Sequence, residues 1–283
     1  MQGDLFRQKL KSGEPVYATH IVSLGNPINA LLNTGLQIDA VFICTEHMPI
    51  DRTEVSMMCQ FYALHGISPM VRIPYPCARH AAMQMDAGAQ GIVVPYIETV
   101  EEVKAMVGAV RYRPIKGEIL NNILSGKTRP SEKMHSFWNR FNKHNYLIIG
   151  IESVPAIERL EELASIDGVD GVFLGPHDIS CSMGIPEEYS HPDFIKTVVD
   201  VIKRCRKLGV GVGIQVDLAD PANKAFLDAG MNFMFHTADV IKMRNTMNAE
   251  FASLRKGYGQ TYSRDGSNNG NGAGVCIDAK SKN

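Results

Sequence analysis

Short apolar runs alternate with longer amphipathic segments over most of the chain. The short runs have the length and composition of buried strands, and the longer segments carry apolar residues at helical spacing. The predicted strands are Val16–Ile21, Ala40–Cys44, Met70–Ile73, Gly91–Tyr96, Leu147–Ile151, Gly171–Leu174, Val210–Val216 and Phe233–Phe235. The predicted helices that follow them are Pro27–Asn33, Thr53–His65, Ala78–Ala87, Val100–Val110, Val154–Ala164, Pro192–Leu208, Pro221–Ala229 and Asp239–Arg255.

Eight strands that alternate with eight helices indicate a (β/α)8 TIM barrel, an α/β fold. The chain has 283 residues, and barrels of this kind commonly reach that size as one domain. A doubly wound open sheet is the alternative, but it would leave the count of eight as a coincidence. The segment Ser23–Pro27 after the first strand also lacks the G-x-G-x-x-G pattern of a dinucleotide site. We therefore predict a barrel domain over residues 1–256.

Two segments fall outside this alternation. Residues 112–145 form a long insertion between the fourth helix and the fifth strand, rich in basic residues and carrying Trp138. Its composition suits a subunit contact, a lid or a solvated insertion, and the pattern does not separate these. Residues 257–283 are rich in Gly, Asn and Ser, so they bury too little apolar area to offset the entropy of ordering. We predict a disordered tail there.

Composition and charge exclude several classes of function. Hydrophobic residues make up 45% and charged residues 21% of the chain, and the formal net charge is −1, so we expect neither a nucleic-acid partner nor a membrane partner. The N-terminus lacks the apolar core of a signal peptide. Six cysteines are scattered without a C-x-x-C pair. This usage favours a reducing, cytoplasmic location over a disulfide framework or a zinc finger.

Two acidic residues follow two consecutive predicted strands. Glu152 comes directly after the fifth strand, and Asp178 comes shortly after the sixth. Parallel strands joined by a right-handed crossover end at the same edge of a sheet, so we expect both carboxylates at one place. Such carboxylates repel each other unless a cation or a shared proton lies between them, and they are the ligands that Mg²⁺ or Mn²⁺ prefers. Alternatively, Glu152 caps a helix and Asp178 begins a surface turn.

The other predicted strand ends supply further chemical groups. Thr45-Glu46-His47 follows the second strand and Arg72 ends the third, so the edge holds a candidate base and a candidate carboxylate binder. The alternatives are that His47 merely begins a helix and that Arg72 forms a surface ion pair. No lysine directly follows a strand, which argues against a Schiff-base aldolase. We predict packing or hydrogen-bonding roles for the remaining polar strand-end residues, which are His20, His177, Gln215 and His236.

Several segments resemble the HpcH/HpaI aldolase/citrate lyase family, whose metal-dependent members are pyruvate aldolases. The resemblance extends over about residues 5–255, and its most specific part is a strand followed by G-P-x-D-[LI]-S. The matching segments are Thr45-Glu46-His47, Val71-Arg72, Asp86–Gly91, Gly150-Ile151-Glu152 and Gly171–Ser180.

The resemblance implies a role for each matched residue. Glu152 and Asp178 would hold a divalent metal, Mg²⁺ or Mn²⁺ with Co²⁺ or Zn²⁺ as further candidates, which chelates a 2-oxo acid. Arg72 would bind the carboxylate or enolate oxygen of pyruvate. His47 would act, through a water, as the acid/base for the aldol hydroxyl.

The resemblance also implies that Gly175 and Pro176 contribute to substrate binding. Asp86 resembles an acidic residue of the family near a subunit boundary, so it is a possible site residue. The family further implies a homo-oligomer, a trimer or hexamer, in which the last helix packs on a neighbouring subunit.

The chain departs from the family pattern at two places. Cys44 stands where the family commonly has an aspartate that orients the histidine, so we expect His47 to be less basic or to be oriented by another group. The segment Tyr112–Glu118 lacks the usual arginine of the family, which affects the expected aldehyde preference.

These observations predict a metal-dependent lyase that cleaves or forms a 4-hydroxy-2-oxo acid, giving pyruvate and an aldehyde. An oxaloacetate decarboxylase or a citrate-type condensing enzyme would use the same enolate and is the nearest alternative. A non-catalytic barrel is the alternative from a different class.

Overall fold

The computed structural model describes residues 3–22, 34–217, 223–259 and 262. Its strands form one parallel eight-stranded sheet in the order β7-β6-β5-β4-β3-β2-β1-β8. A bridge between Gln215 and Phe235 joins the two outer strands, so the sheet closes into a barrel. The strands are β1 (Val16–His20), β2 (Ala40–Cys44), β3 (Ser68–Arg72), β4 (Gly91–Val94), β5 (Tyr146–Ile151), β6 (Gly171–Leu174), β7 (Gly211–Ile214) and β8 (Phe233–Ala238).

Helices connect these strands, as the parallel arrangement requires. Many begin at a side chain that accepts a hydrogen bond from the backbone, for example Thr99, which forms a capping box with Glu102. The described helices are α1 (Gly3–Ser12), α2 (Arg52–Leu64), α3 (Ala78–Asp86), α4 (Val100–Arg111), α5 (Gly117–Leu124), α6 (Glu132–Phe141), α7 (Val154–Glu158), α8 (Leu160–Ala164), α9 (Pro176–Ser182), α10 (Pro192–Lys207), α11 (Lys224–Asp228) and α12 (Asp239–Gly257).

The predicted barrel is confirmed, and each strand lies within about three residues of its predicted bounds. The predicted helix over 154–164 is divided at Arg159 into α7 and α8, and α9 follows β6 where no helix was predicted. The predicted helix Pro27–Asn33 lies outside the described residues, as do the first two residues of the predicted Pro221–Ala229.

Alternating side chains of each strand contribute to two different cores. In β2, Ala40, Phe42 and Cys44 face the barrel interior, whereas Val41 and Ile43 pack beneath the helices. Aromatic rings fill the interior, and Phe42 lies 4.6 Å from Phe235 between ring centroids. The packed interior is therefore closed below its upper edge, where the strand ends carry the polar groups.

Helix α1 closes the lower end of the barrel, where the strands begin. Phe6 and Leu10 are fully buried, and Phe6 stacks on Tyr146 at 4.7 Å between centroids. The buried carboxylate of Asp170 lies 3.4 Å from Lys11 and 3.6 Å from Arg111, and it accepts a hydrogen bond from the Leu147 amide. Burial raises the pKa of Asp170, and the two cations oppose that rise.

The insertion over 112–145 is largely helical and lies at this lower end, since it connects the end of α4 to the start of β5. Trp138 of α6 is buried and contacts Tyr112 edge to face at 4.9 Å. Helix α5 packs against Gly108 of α4 through Leu120 and Leu124. An insertion anchored at the edge opposite the candidate site does not support a lid, whereas a subunit contact stays a prediction.

The chain divides into two compact units, Met1–Val240 and Ile241–Asn283. The first contains the barrel. The described part of the second consists of most of α12 and the residues Tyr258, Gly259 and Tyr262. Most of the predicted disordered tail lies outside the described residues, so the domain boundary at 256 stays a prediction. No helix among the described residues is both long and apolar enough to span a membrane.

Closure of the barrel depends on Gly213 of β7, because a Cβ there would overlap the carbonyl oxygen of Phe233 in β8. We expect Gly213→Ala to lower the free energy of unfolding by about 1–3 kcal/mol, measured by urea denaturation. Gly171→Ala in β6 is the matched control, since its Cβ would meet neighbouring atoms no closer than 3.4 Å. Equal stability of the two variants would contradict this account of the closure.

Candidate active site at the carboxyl ends of the strands

The upper edge of the barrel brings the predicted residues together. Arg72 ends β3 and pairs in register with Cys44 at the end of β2, which places it beside Glu46 and His47. Glu152 directly follows β5, and Asp178 lies in the first turn of α9, directly after β6. The charges of Arg72, Asp178 and Glu46 all affect the pKa of Glu152, which places these groups in one region of the upper edge, referred to below as the cluster.

Glu152 is the most deeply buried carboxylate of this cluster, with 3% of the residue exposed. Its Oε2 accepts a hydrogen bond of 3.2 Å from the amide of Tyr96, while its Oε1 is buried without a hydrogen-bond partner among the described residues. It does not cap the next helix, because Ser153 occupies the N-cap of α7. The predicted capping alternative for Glu152 is therefore wrong.

Two glycines make room for this carboxylate. A Cβ at Gly150 would lie 2.9 Å from Oε1 of Glu152, and a Cβ at Gly175 would lie 3.0 Å from its Cδ. Tyr96 has a positive φ of 50°, which is an uncommon conformation for an aromatic residue. In this conformation the amide of Tyr96 donates its hydrogen bond to Oε2 of Glu152. Oε1 has no hydrogen-bond partner among the described residues.

Burial and neighbouring negative charge make ionisation of Glu152 unfavourable. Burial is the largest cause that raises the pKa of Glu152 to about 7, Arg72 opposes it, and Asp178 and Glu46 raise it further. Burial also raises the pKa of Glu46, against the opposing charges of Arg72 and His47. The cluster thus contains three carboxylates and one guanidinium, and it has an excess of negative charge when all three carboxylates are ionised.

Arg72 is held from several sides, and only 11% of its side chain is exposed. Its backbone carbonyl accepts hydrogen bonds from the amide and the hydroxyl of Thr45, at 2.9 and 2.7 Å. Burial disfavours the charged guanidinium, but Cys44, Glu46 and Glu152 outweigh this effect and raise the pKa of Arg72. The predicted alternative of a surface ion pair is therefore wrong.

His47 lies at the outer rim of the cluster, with 64% of its side chain exposed. Its Nε2 lies 3.7 Å from Oε2 of Glu46, and its backbone amide donates to the sulfur of Cys44 at 3.3 Å. The next helix begins later, at Arg52, with Asp51 as its N-cap, so His47 does not begin a helix. Glu46 is thus a charged group close to its imidazole, and the group that orients the ring stays a prediction.

The remaining predicted site residues divide between the two ends of the barrel. Gly175 and Pro176 lie at the start of α9, and Gly175 adjoins the carboxylate of Glu152. Asp86 ends α3 near the start of β4, where it contacts Arg113 of the insertion. The structure therefore does not bring Asp86 to the cluster within one chain, and its role at a subunit boundary stays a prediction.

Sequence reasoning assigned no role to two groups that belong to this edge, Glu46 and Tyr96, and it assigned no chemistry to a third, His20. Glu46 was visible next to His47, but its contact with Arg72 required the pairing of β2 with β3. Tyr96 contributes a backbone amide, which no side-chain pattern indicates. His20 adjoins Phe42 edge to face at 5.1 Å, and burial, together with Arg72, lowers the pKa of His20 to about 4.

The donor set fits a hard divalent cation. The orphaned, buried Oε1 of Glu152 is an oxygen that needs either a proton or a cation, and Asp178 is a second carboxylate of the same cluster. Among the described residues no group of three or more His, Cys, Asp or Glu side chains is arranged to hold a metal. Two carboxylates suffice for Mg²⁺ or Mn²⁺, which commonly keep several positions for water and substrate.

In a comparison with known protein families, residues 22–246 match the family HpcH/HpaI aldolase/citrate lyase. A hydroxypyruvate/pyruvate aldolase from Sagittula stellata is 33% identical over 210 residues, which cover 73% of this chain and 80% of that protein.

Two solved structures share the fold. The HpcH/HpaI aldolase from Desulfitobacterium hafniense matches with a TM-score of 0.74 and 23% identity, covering 88% of this chain and 96% of that one. The citrate synthase SbnG matches with a TM-score of 0.73 and 22% identity, covering 90% and 98%. At these identities the likeness concerns the barrel, and both aldolase and citrate synthase activities occur on it.

The space around Glu152 can be tested with Gly175→Ala. Gly175 has a negative φ of −82°, so alanine strains no backbone there, but its Cβ would press on the Glu152 carboxylate. We expect the Kd for Mn²⁺, measured by electron paramagnetic resonance, to rise about tenfold for the displacement of one ligand. Gly171→Ala should leave this Kd unchanged, and equal values for both variants would show that the contact is unimportant.

Proposed function

Because this chain belongs to the HpcH/HpaI aldolase/citrate lyase family, we propose that it is a metal-dependent aldolase acting on 4-hydroxy-2-oxo acids. The reaction gives pyruvate, or a close 2-oxo acid, and an aldehyde, and its reverse forms the same carbon–carbon bond. One observation supports this most directly: Oε1 of buried Glu152 has no hydrogen-bond partner among the described residues and lies in a cluster with Asp178 and Arg72. The name of the Sagittula stellata relative, a hydroxypyruvate/pyruvate aldolase, agrees with this reaction class.

In this proposal Glu152 and Asp178 hold a divalent cation, Mg²⁺ or Mn²⁺. When bound, such a cation supplies Lewis acidity that stabilises the negative charge of an enolate. The protein holds the Glu152 carboxylate in one orientation, since the Tyr96 amide donates to Oε2, while Gly150 and Gly175 leave space at Oε1. Asp178 enters from the neighbouring strand end, as the parallel barrel requires.

Arg72 binds the carboxylate or the enolate oxygen of the 2-oxo acid. Its guanidinium is buried and charged, and planar donors of this kind bind a carboxylate through two parallel hydrogen bonds. A donor that strengthens its interaction as charge develops stabilises the transition state more than the ground state. Arg72 therefore contributes both to binding and to the rate of the chemical step.

His47 moves the proton of the aldol hydroxyl. Imidazole is suited to proton transfer near neutral pH, and the exposed ring lies at the rim, where the aldehyde part of the substrate enters and leaves. In cleavage its ring nitrogen accepts the hydroxyl proton through a water, and in synthesis it returns that proton to the aldehyde oxygen. Oε2 of Glu46 lies 3.7 Å from Nε2 of this ring.

A citrate-type condensing enzyme is the second candidate, because the citrate synthase SbnG has the same barrel. Both reactions use an enolate and the same charged residues, and they differ in the electrophile. The two candidates are separated by products. Release of aldehyde from a 4-hydroxy-2-oxo acid supports the aldolase, whereas condensation with oxaloacetate, or its decarboxylation without aldehyde, supports the alternative.

The proposed chemistry is tested by the exchange of deuterium into the methyl group of pyruvate, followed by NMR in D₂O. We expect exchange with Mg²⁺ or Mn²⁺ and none after treatment with EDTA. Arg72→Ala should reduce the exchange rate by roughly 10²–10³-fold, the loss typical for removal of one charge-stabilising donor. The exposed Arg79→Ala on α3 is the matched control and should match the wild-type rate. A metal-loaded wild type without exchange would refute an enolate-forming enzyme.

We also propose that the chain forms a homo-oligomer, a trimer or hexamer, through its last helix. No residue of α12 is buried, and the exposed apolar residues Met243, Met247, Phe251 and Leu254 recur at helical spacing. Such a continuous apolar stripe is typical of a helix face covered by a partner. A second copy of the chain fits the subunit packing that the family resemblance implied.

The stripe makes the assembly testable by sedimentation velocity. We expect Phe251→Glu to shift the oligomer towards the monomer at micromolar concentration, since it would bury a charge in an apolar contact. Ala252→Glu adds the same charge on the opposite face of α12 and should leave the oligomer intact. A monomeric wild type, or equal dissociation of both variants, would contradict the proposed role of the stripe.

A further inference from the structure

The sulfur of Cys44 lies at the centre of a set of hydrogen bonds in the candidate site. It accepts from Nη2 of Arg72 at 3.0 Å, from Nε of Arg72 at 3.3 Å and from the amide of His47 at 3.3 Å. Cys44 is fully buried and faces the barrel interior at the end of β2. One side chain thus contacts both the proposed carboxylate binder and the segment that carries the proposed base.

The two contacts with Arg72 use one particular edge of its guanidinium. Nε and Nη2 present parallel N–H groups along the side of the fork, and both are directed at the sulfur. The remaining edge consists of Nη1 and the second N–H of Nη2. That end-on edge matches the two oxygens of a carboxylate, so the sulfur occupies one edge and leaves the other for substrate.

The other groups around Arg72 do not fix this orientation equally well. Oε2 of Glu46 lies 3.0 Å from Nε, yet it accepts no hydrogen bond, because the N–H is directed at the sulfur. The ring of Phe42 lies beneath the guanidinium, with its centroid 5.3 Å from Cζ of Arg72. A cation–π contact of this kind allows the guanidinium to rotate within its own plane. The sulfur is therefore the contact that selects which edge faces outward.

We propose that Cys44 is a positioning residue that fixes the side-on edge of the Arg72 guanidinium and so directs its end-on edge towards the substrate carboxylate. The inference rests on the proposed role of Arg72 in binding a 2-oxo acid. It also assigns a use to the cysteine at the position where the family commonly has an aspartate. The required property at residue 44 is then a buried hydrogen-bond acceptor that faces Arg72.

Kinetics of Cys44→Ala test this inference. Loss of the acceptor should raise the KM for pyruvate in deuterium exchange by about 10-fold or more, because it frees a charged donor from its partner. We expect kcat to change by less than about threefold, since a correctly bound substrate still meets the same groups. Cys44→Ser, which restores a buried acceptor, should recover most of the affinity.

Cys59→Ala is the matched control, because Cys59 is equally buried but lies on α2 outside the barrel interior. It removes the same sulfur volume and should leave the KM at the wild-type value. The Kd for Mn²⁺ should be the same in both alanine variants, which separates a displaced arginine from a disturbed metal site. A KM that rises equally in both would assign the effect to core packing and would overturn the inference.

Chemical labelling of Arg72 tests the role of Cys44 independently of enzyme activity. Phenylglyoxal labels guanidinium groups, and mass spectrometry gives the labelling rate of Arg72 itself. We expect Cys44→Ala to label several-fold faster at Arg72 than the wild type or Cys59→Ala. Unchanged labelling would overturn the inference, whatever the enzyme activity. Wild-type protein that lacks metal-dependent exchange but shows faster labelling in Cys44→Ala would refute the proposed function and retain the positioning contact.

Discussion

The site depends on a buried carboxylate that the protein leaves half satisfied. An ionised carboxylate without a partner is among the most costly groups to bury, and a nearby like charge increases that cost. At Glu152 the structure provides one hydrogen bond, from the Tyr96 amide, and places Asp178 and Glu46 nearby. Two glycines preserve the space beside the second oxygen. This arrangement is stable at low cost only with a cation or a proton in that space, which is why the donor set fits the cation of the proposed function.

The barrel makes this arrangement possible because it separates packing from chemistry. Aromatic side chains fill the lower interior, and the polar residues stand on the strand ends just above them. The ring of Phe42 is both the top of that packed interior and the surface on which Arg72 lies. The guanidinium is therefore shielded from water on one side, which strengthens its interactions with the carboxylates and with an anionic substrate.

Much of the fold and of the site was predictable from local pattern. Strand-length apolar runs and helical periodicity located the eight strands, and the strand ends then identified Arg72, Glu152 and Asp178. The pattern did not predict α9, where Pro176 and Asp178 resemble a turn, or the helices of the insertion, where basic residues obscure a short apolar face. It also could not show the amide of Tyr96 or the partner of Cys44, because those contacts depend on the pairing of distant strands.

Cys44 illustrates how a site can orient an arginine without a carboxylate at that position. A carboxylate at residue 44 would add a fourth negative charge to a cluster that already has three carboxylates and one guanidinium. The sulfur of Cys44 supplies an acceptor for the N–H groups of Arg72 and leaves the number of carboxylates in the cluster at three. Glu46 remains near both Arg72 and His47. In the role proposed for Cys44, the property that matters at this position is the direction of the Arg72 guanidinium, and an acceptor weaker than a carboxylate provides it.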